Sequence, residues 1–120
     1  MIELQNQFLS YELALQIQQL GFNKKCLAFY SLGKSTVIIN NDTYNINSTD
    51  IGAPLFQQAL EWFMEKGFQI SLWTNPENPD AYIYEVMYQG RFIFEHNKYI
   101  PYHEAKVSCI EKLIEVTKSL

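Results

Sequence analysis

The stretch AYIYEVMYQGRFIFEH, residues 81–96, decides the fold. Both halves are rich in aromatic and β-branched side chains, and Gln89-Gly90 between them is a two-residue turn signal. Residues 81–88 and 91–96 therefore predict an antiparallel hairpin. Such a turn places Tyr88 opposite Arg91, Val86 opposite Ile93 and Tyr84 opposite Glu95 on one side, with Tyr82 beyond them. The other side carries Ile83, Glu85, Met87, Phe92, Phe94 and His96. It is the more apolar and is expected to face the core.

Tyr82, Tyr84 and Tyr88, with Arg91 and Glu95, then form the outer face. Tyrosine with arginine is the composition of binding hot spots, because a large rigid body with a polar tip gains contact area at low entropy cost. The plain alternative is an ordinary sheet surface, on which aromatic cross-strand pairs contribute about 0.2–1 kcal/mol each. Glu85 sits on the expected core side against its chemistry, and a one-residue slip of register exchanges the two faces.

Upstream of the hairpin, residues 68–74 alternate Phe68, Ile70 and Leu72 with Gln69, Ser71 and Trp73, the period of a half-buried strand. Residues 75–80 hold Pro76 and Pro79 and are expected to form a loop. Before them, Pro54 suits a first helical position, and Leu55, Phe56, Ala59, Leu60, Trp62, Phe63 and Met64 cover a wide arc of a helix ending at Gly67. So wide an arc marks the central core helix. Downstream, residues 103–119 predict a last helix, with Ala105, Cys109, Ile110, Leu113, Ile114 and Val116 turned inward and Lys118 in its last turn.

The first third predicts a helix capped by Ser10, with Glu12 in its first turn and Leu13, Ile17 and Leu20 at helical spacing. Gly21-Phe22 then reads as a Schellman ending. Residues 27–30 and 36–39 read as strands joined through residues 31–35. Asn40-Asn41-Asp42 reads as a turn, and residues 43–46 as a short edge strand. The expected architecture is a single α+β domain over residues 1–120. It is a two-layer structure with an antiparallel sheet of about five to six strands and three α-helices, in the order α-β-β-(β)-α-β-β-β-α.

Composition narrows the function. The 120 residues fit one domain, and 15% aromatic content with 18% charge excludes disorder. A net charge of −4, one arginine and one basic doublet, Lys24-Lys25, argue against nucleic acid and anionic membranes as partners. The opening MIELQNQFLS has neither a basic region nor an apolar run, so a secretory signal is not expected, nor is a membrane span. The expected location is the cytoplasm, the bacterial host cytosol. Cys26 and Cys109 have apolar neighbours and read as small core hydrophobes.

Catalytic patterns are missing from the sequence. His96 and His103 are the only histidines and read as surface residues, and no CxxC, HExxH or calcium-loop spacing occurs. The five glycines are isolated, so no phosphate-cradling loop is expected. No catalytic residue, metal site or cofactor is expected.

Three stretches carry a family resemblance. They are LSYELAL (residues 9–15) running to Leu20-Gly21-Phe22 and Cys26; APLFQQALEWFMEK (residues 53–66); and Tyr102-His103-Glu104-Ala105 leading to CIEKLI (residues 109–114). In order and spacing the chain resembles small uncharacterised proteins carried by phages and prophages of Bacteroidetes gut bacteria. That resemblance implies no activity. The residues that carry it coincide with helix caps and core helix faces, which points to maintenance of the fold.

The function expected is a non-enzymatic phage or prophage accessory protein, a small protein-binding module acting through its tyrosine-rich sheet face on a host or phage protein. The alternatives are a structural homo-oligomer, or a binder of small molecules or single-stranded nucleic acid, or an enzyme whose site assembles only in three dimensions.

Overall fold

The computed structural model describes residues 7–31, 38–39 and 51–120. Among these residues, three helices and six strands follow in the order α1 (Tyr11–Gln19), β1 (Ala28–Tyr30), β2 (Ile38–Ile39), β3 (Ile51–Ala53), α2 (Phe56–Glu65), β4 (Phe68–Asn75), β5 (Asn78–Tyr88), β6 (Arg91–Pro101) and α3 (Tyr102–Lys118). The protein is α+β, every strand pairing among the described residues is antiparallel, and the expected order of elements holds. The strands are divided between two three-stranded sheets, β2-β1-β3 and β4-β5-β6. The chain forms two compact units, Met1–Ala59 and Leu60–Leu120, and their boundary falls inside α2.

In the first unit, Ser10 caps α1 by accepting a hydrogen bond from the Leu13 N–H at 3.3 Å. At the other end, the Gly21 N–H donates to the Gln18 carbonyl and the Phe22 N–H to the Ile17 carbonyl, both at 3.0 Å, the paired bonds of a Schellman ending. Leu13, Ala14 and Ile17 are buried. Strand β1 is central, with Ala28 opposite both Ile39 and Ala53. Tyr30 is buried, and its hydroxyl donates to the Leu9 carbonyl at 2.7 Å, tying β1 to the segment that enters α1.

Two expectations are corrected in this unit. Strand β3 was not foreseen, because it is three residues long and has glycine at its centre. The glycine has a steric reason: a Cβ on Gly52 would meet Cys26 Sγ at 3.1 Å. Pro54 lies outside α2, where its carbonyl accepts from the Leu9 N–H at 2.9 Å and Leu55 bridges Phe8. The helix starts at Phe56. The connection at residues 32–35, the start of the expected strand at 36–37, the turn 40–42 and the strand 43–46 lie outside the described residues.

In the second unit the chain runs β4, β5, β6 as two consecutive hairpins. Gln89 and Gly90 both take positive φ, 49° and 81°, the signature of a type I′ turn, and Tyr88 pairs with Arg91 as the sequence predicts. The first hairpin is tighter than expected. Asn75 pairs directly with Asn78 across Pro76-Glu77, and β5 already begins at Asn78. Pro79 is accommodated because the β4–β5 register shifts between Thr74 and Asn75, so its missing N–H leaves no ladder bond unmade.

Helix α3 packs along β5, with Ala105, Cys109, Ile110, Leu113 and Ile114 buried; Val116, expected inward, is half-buried. From the end of α2 into the sheet, Trp62, Phe63, Phe68 and Tyr88 form a chain of ring contacts with centroids 4.8–5.9 Å apart. Trp62 and Phe63 are buried, as the apolar arc of α2 requires, whereas Met64 stays exposed.

Candidate functional site

The second sheet has two faces, and pairing assigns each side chain to one of them. Phe68 lies opposite Tyr88, Ile70 opposite Val86, Leu72 opposite Tyr84 and Thr74 opposite Tyr82. Tyr84 is 1% exposed, and its hydroxyl meets Ser108 Oγ of α3 at 2.6 Å, so this face is the one covered by the helix. Tyr82 adds a ring contact with Tyr102 at the start of α3, centroids 4.6 Å apart.

The expected outer face is therefore corrected. Tyr82, Tyr84, Tyr88 and Arg91 share the helix-covered face, and Tyr84 is part of the core rather than of a contact surface. Burial pushes the Tyr84 hydroxyl above its ordinary pKa, and the hydrogen bond to Ser108 offsets only part of that rise. Tyr82 and Tyr88 are half-buried, and Arg91 is exposed beyond the turn.

Glu95 alone of the expected set reaches the open face, and the reason is a bulge. Met87 pairs with Phe92 and Val86 with Phe94, so Ile93 is the extra residue on β6. Beyond it Phe94, Glu95 and His96 change face relative to an unbroken two-residue hairpin. Glu95 thus comes opposite Glu85 and not Tyr84, while His96 comes opposite Tyr84. The His96 ring stacks on that of Tyr84, centroids 5.3 Å apart, and its Nδ1 is buried without a hydrogen-bond partner among the described residues. The surface role expected of His96 is corrected accordingly: it is half-buried on the helix side.

The open face is built from the residues between those core positions. Across the three strands, Trp73 lies opposite Ile83, Glu85 lies between Ser71 and Glu95, and Met87 between Gln69 and Phe92. Trp73 is 46% and Phe92 60% exposed, whereas Ile83 and Met87 are half-buried. The two carboxylates occupy the middle, with apolar side chains on both sides along the strand direction. Neither Glu85 nor Glu95 has a hydrogen bond or ion pair among the described residues.

Among the described residues no cluster of three or more His, Cys, Asp or Glu side chains could hold a metal ion. Both cysteines are free and buried, and burial pushes the Cys26 thiol up to about 11 and Cys109 to about 12, so neither supplies a thiolate near neutral pH. No helix among the described residues is long and apolar enough to cross a membrane. Compared with known protein families, curated proteins and solved structures, the chain matches none.

Proposed function

We propose that the chain is a non-enzymatic protein-binding module whose contact surface is the open face of the β4–β5–β6 sheet. The observation that carries this reading is the exposure of Trp73 and Phe92 on the face opposite the one α3 covers. Large aromatic side chains left open on a rigid sheet are the anchors from which interface hot spots are made. The resemblance to phage and prophage proteins makes a host or phage protein the expected partner, and the reading as a phage accessory protein of the host cytosol rests on that resemblance.

Affinity capture from a phage-bearing host tests the reading, using the tagged wild type, a Trp73→Ser/Phe92→Ser variant and an Arg91→Ala control. The expected result is a stoichiometric partner lost in the double variant and kept in the control. A partner held equally by all three proteins would discard this face.

Self-association is the second reading, favoured by β6, an eleven-residue strand at the edge of its sheet among the described residues. A light-scattering mass of one chain at tens of micromolar would remove it.

A further inference from the structure

We infer that the open face takes a protein segment presenting an arginine or lysine between apolar side chains, with Glu85 and Glu95 together receiving the cation. This rests on the reading of that face as a protein-binding surface. The register places the two glutamates directly opposite one another on neighbouring strands, about 5 Å apart at Cβ. Among the described residues no cation neutralises them. Its single arginine, Arg91, pairs with Tyr88 and so belongs to the other face. No lysine bonds to either carboxylate among the described residues.

Two unneutralised carboxylates side by side repel each other, and a guanidinium, with five N–H donors, can bond to both at once. The apolar residues define the rest of the match. Ile83, Glu85 and Met87 alternate along β5, so apolar, acidic and apolar positions follow at about 6.7 Å steps. Trp73 extends one apolar end and Phe92 the other. A complementary segment carries its own apolar, cationic and apolar side chains at that step, the spacing of alternate residues on a strand. A second copy of this chain does not fit, since stacking the face on itself brings four carboxylates together in a desolvated interface.

A random peptide library displayed on a carrier and panned against three purified proteins separates the possibilities. The proteins are the wild type, Trp73→Ser/Phe92→Ser and Glu85→Gln/Glu95→Gln, with thermal melts confirming that all three fold; the substituted side chains are exposed or half-buried. The expected result is enrichment, on the wild type, of peptides with Arg or Lys flanked by apolar residues. The glutamine variant keeps the apolar preference and loses the basic one, and the leading wild-type peptide binds it about tenfold or more weakly. That peptide's wild-type affinity falls between about 50 mM and about 500 mM salt. Enrichment of apolar peptides without basic residues would overturn the cation inference and leave the contact face standing. No enrichment over the serine variant would overturn both. A wild-type dimer that dissociates in the serine variant would replace the basic segment by a second copy.

Discussion

Both faces of the β4–β5–β6 sheet carry large aromatic residues, yet Tyr84 is 1% exposed and Phe92 60%. Residue type does not decide which of them meets solvent. Tyrosine is the side chain usually associated with contact surfaces, but Tyr84 can be buried because Ser108 supplies a partner for its hydroxyl. Phe92 has no polar group to satisfy and is nevertheless open, because pairing with Met87 places it on the side away from α3. The covered face holds the unit together, and the open one meets solvent.

Substitution on the covered face provides the sharpest contrast. Tyr84→Ala removes a buried ring and leaves Ser108 without its hydroxyl partner, so a loss of about 3–5 kcal/mol in urea unfolding is expected. Trp73→Ser is expected to change stability by no more than about 0.5 kcal/mol, as surface substitutions do. Equal losses at the two positions would erase the distinction between the faces.

That distinction was only partly legible in the sequence. Signals that act within a few residues were readable: the Ser10 cap, the Gly21 ending and the Gln89-Gly90 turn appear where the sequence predicts them. The inward face of α3 was readable for the same reason, since helical spacing is local. The face of the hairpin was not. It depends on one extra residue, Ile93, and on a hydroxyl partner that lies 24 positions along the chain from Tyr84. Glu85 was the clue, because a carboxylate on the expected core side is better explained by the opposite register. Strand β3 escaped for a different reason: three residues around a glycine show no alternation to detect.

Alkaline pH should weaken the covered face. Burial raises the Cys109 thiol from 9.0 to about 12, so the unfolded chain loses this proton first as pH rises. Stability from this group is complete below pH 9.0 and falls by about 1.4 kcal/mol per pH unit from there until the folded thiol ionises near 12. Tyr84, also raised by burial, steepens the fall above its ordinary value of 10.0. Urea midpoints measured across this window should fall steeply for the wild type and less steeply for Cys109→Ala. Identical slopes would mean that the thiol ionises freely in the folded protein.

Losing only the polar tip of Tyr84 has a smaller effect. Tyr84→Phe keeps the ring stacked on His96 and deletes the bond to Ser108, for an expected loss of about 1 kcal/mol. Tyr84→Phe combined with Ser108→Ala should recover part of it, because no hydroxyl is then left unpaired. If the double variant loses the sum of the two single losses, the 2.6 Å contact does not couple the side chains.

The smallest effect has the opposite sign. Glu85 and Glu95 face each other on the open side, and like charges directly opposed on a sheet are destabilising by a few tenths of a kcal/mol when solvent screens them. Glu85→Gln should therefore raise the melting temperature by about 1–2 °C, and the gain should shrink at high salt. A gain that salt leaves unchanged would arise from packing and not from charge. A fall in stability would mean that Glu85 makes a favourable interaction in the folded chain, and the repulsion would then not be what a cationic partner relieves. The expected gain ties stability to binding: the pair weakens the free protein slightly and becomes favourable only when a cation from outside the chain lies between the two carboxylates.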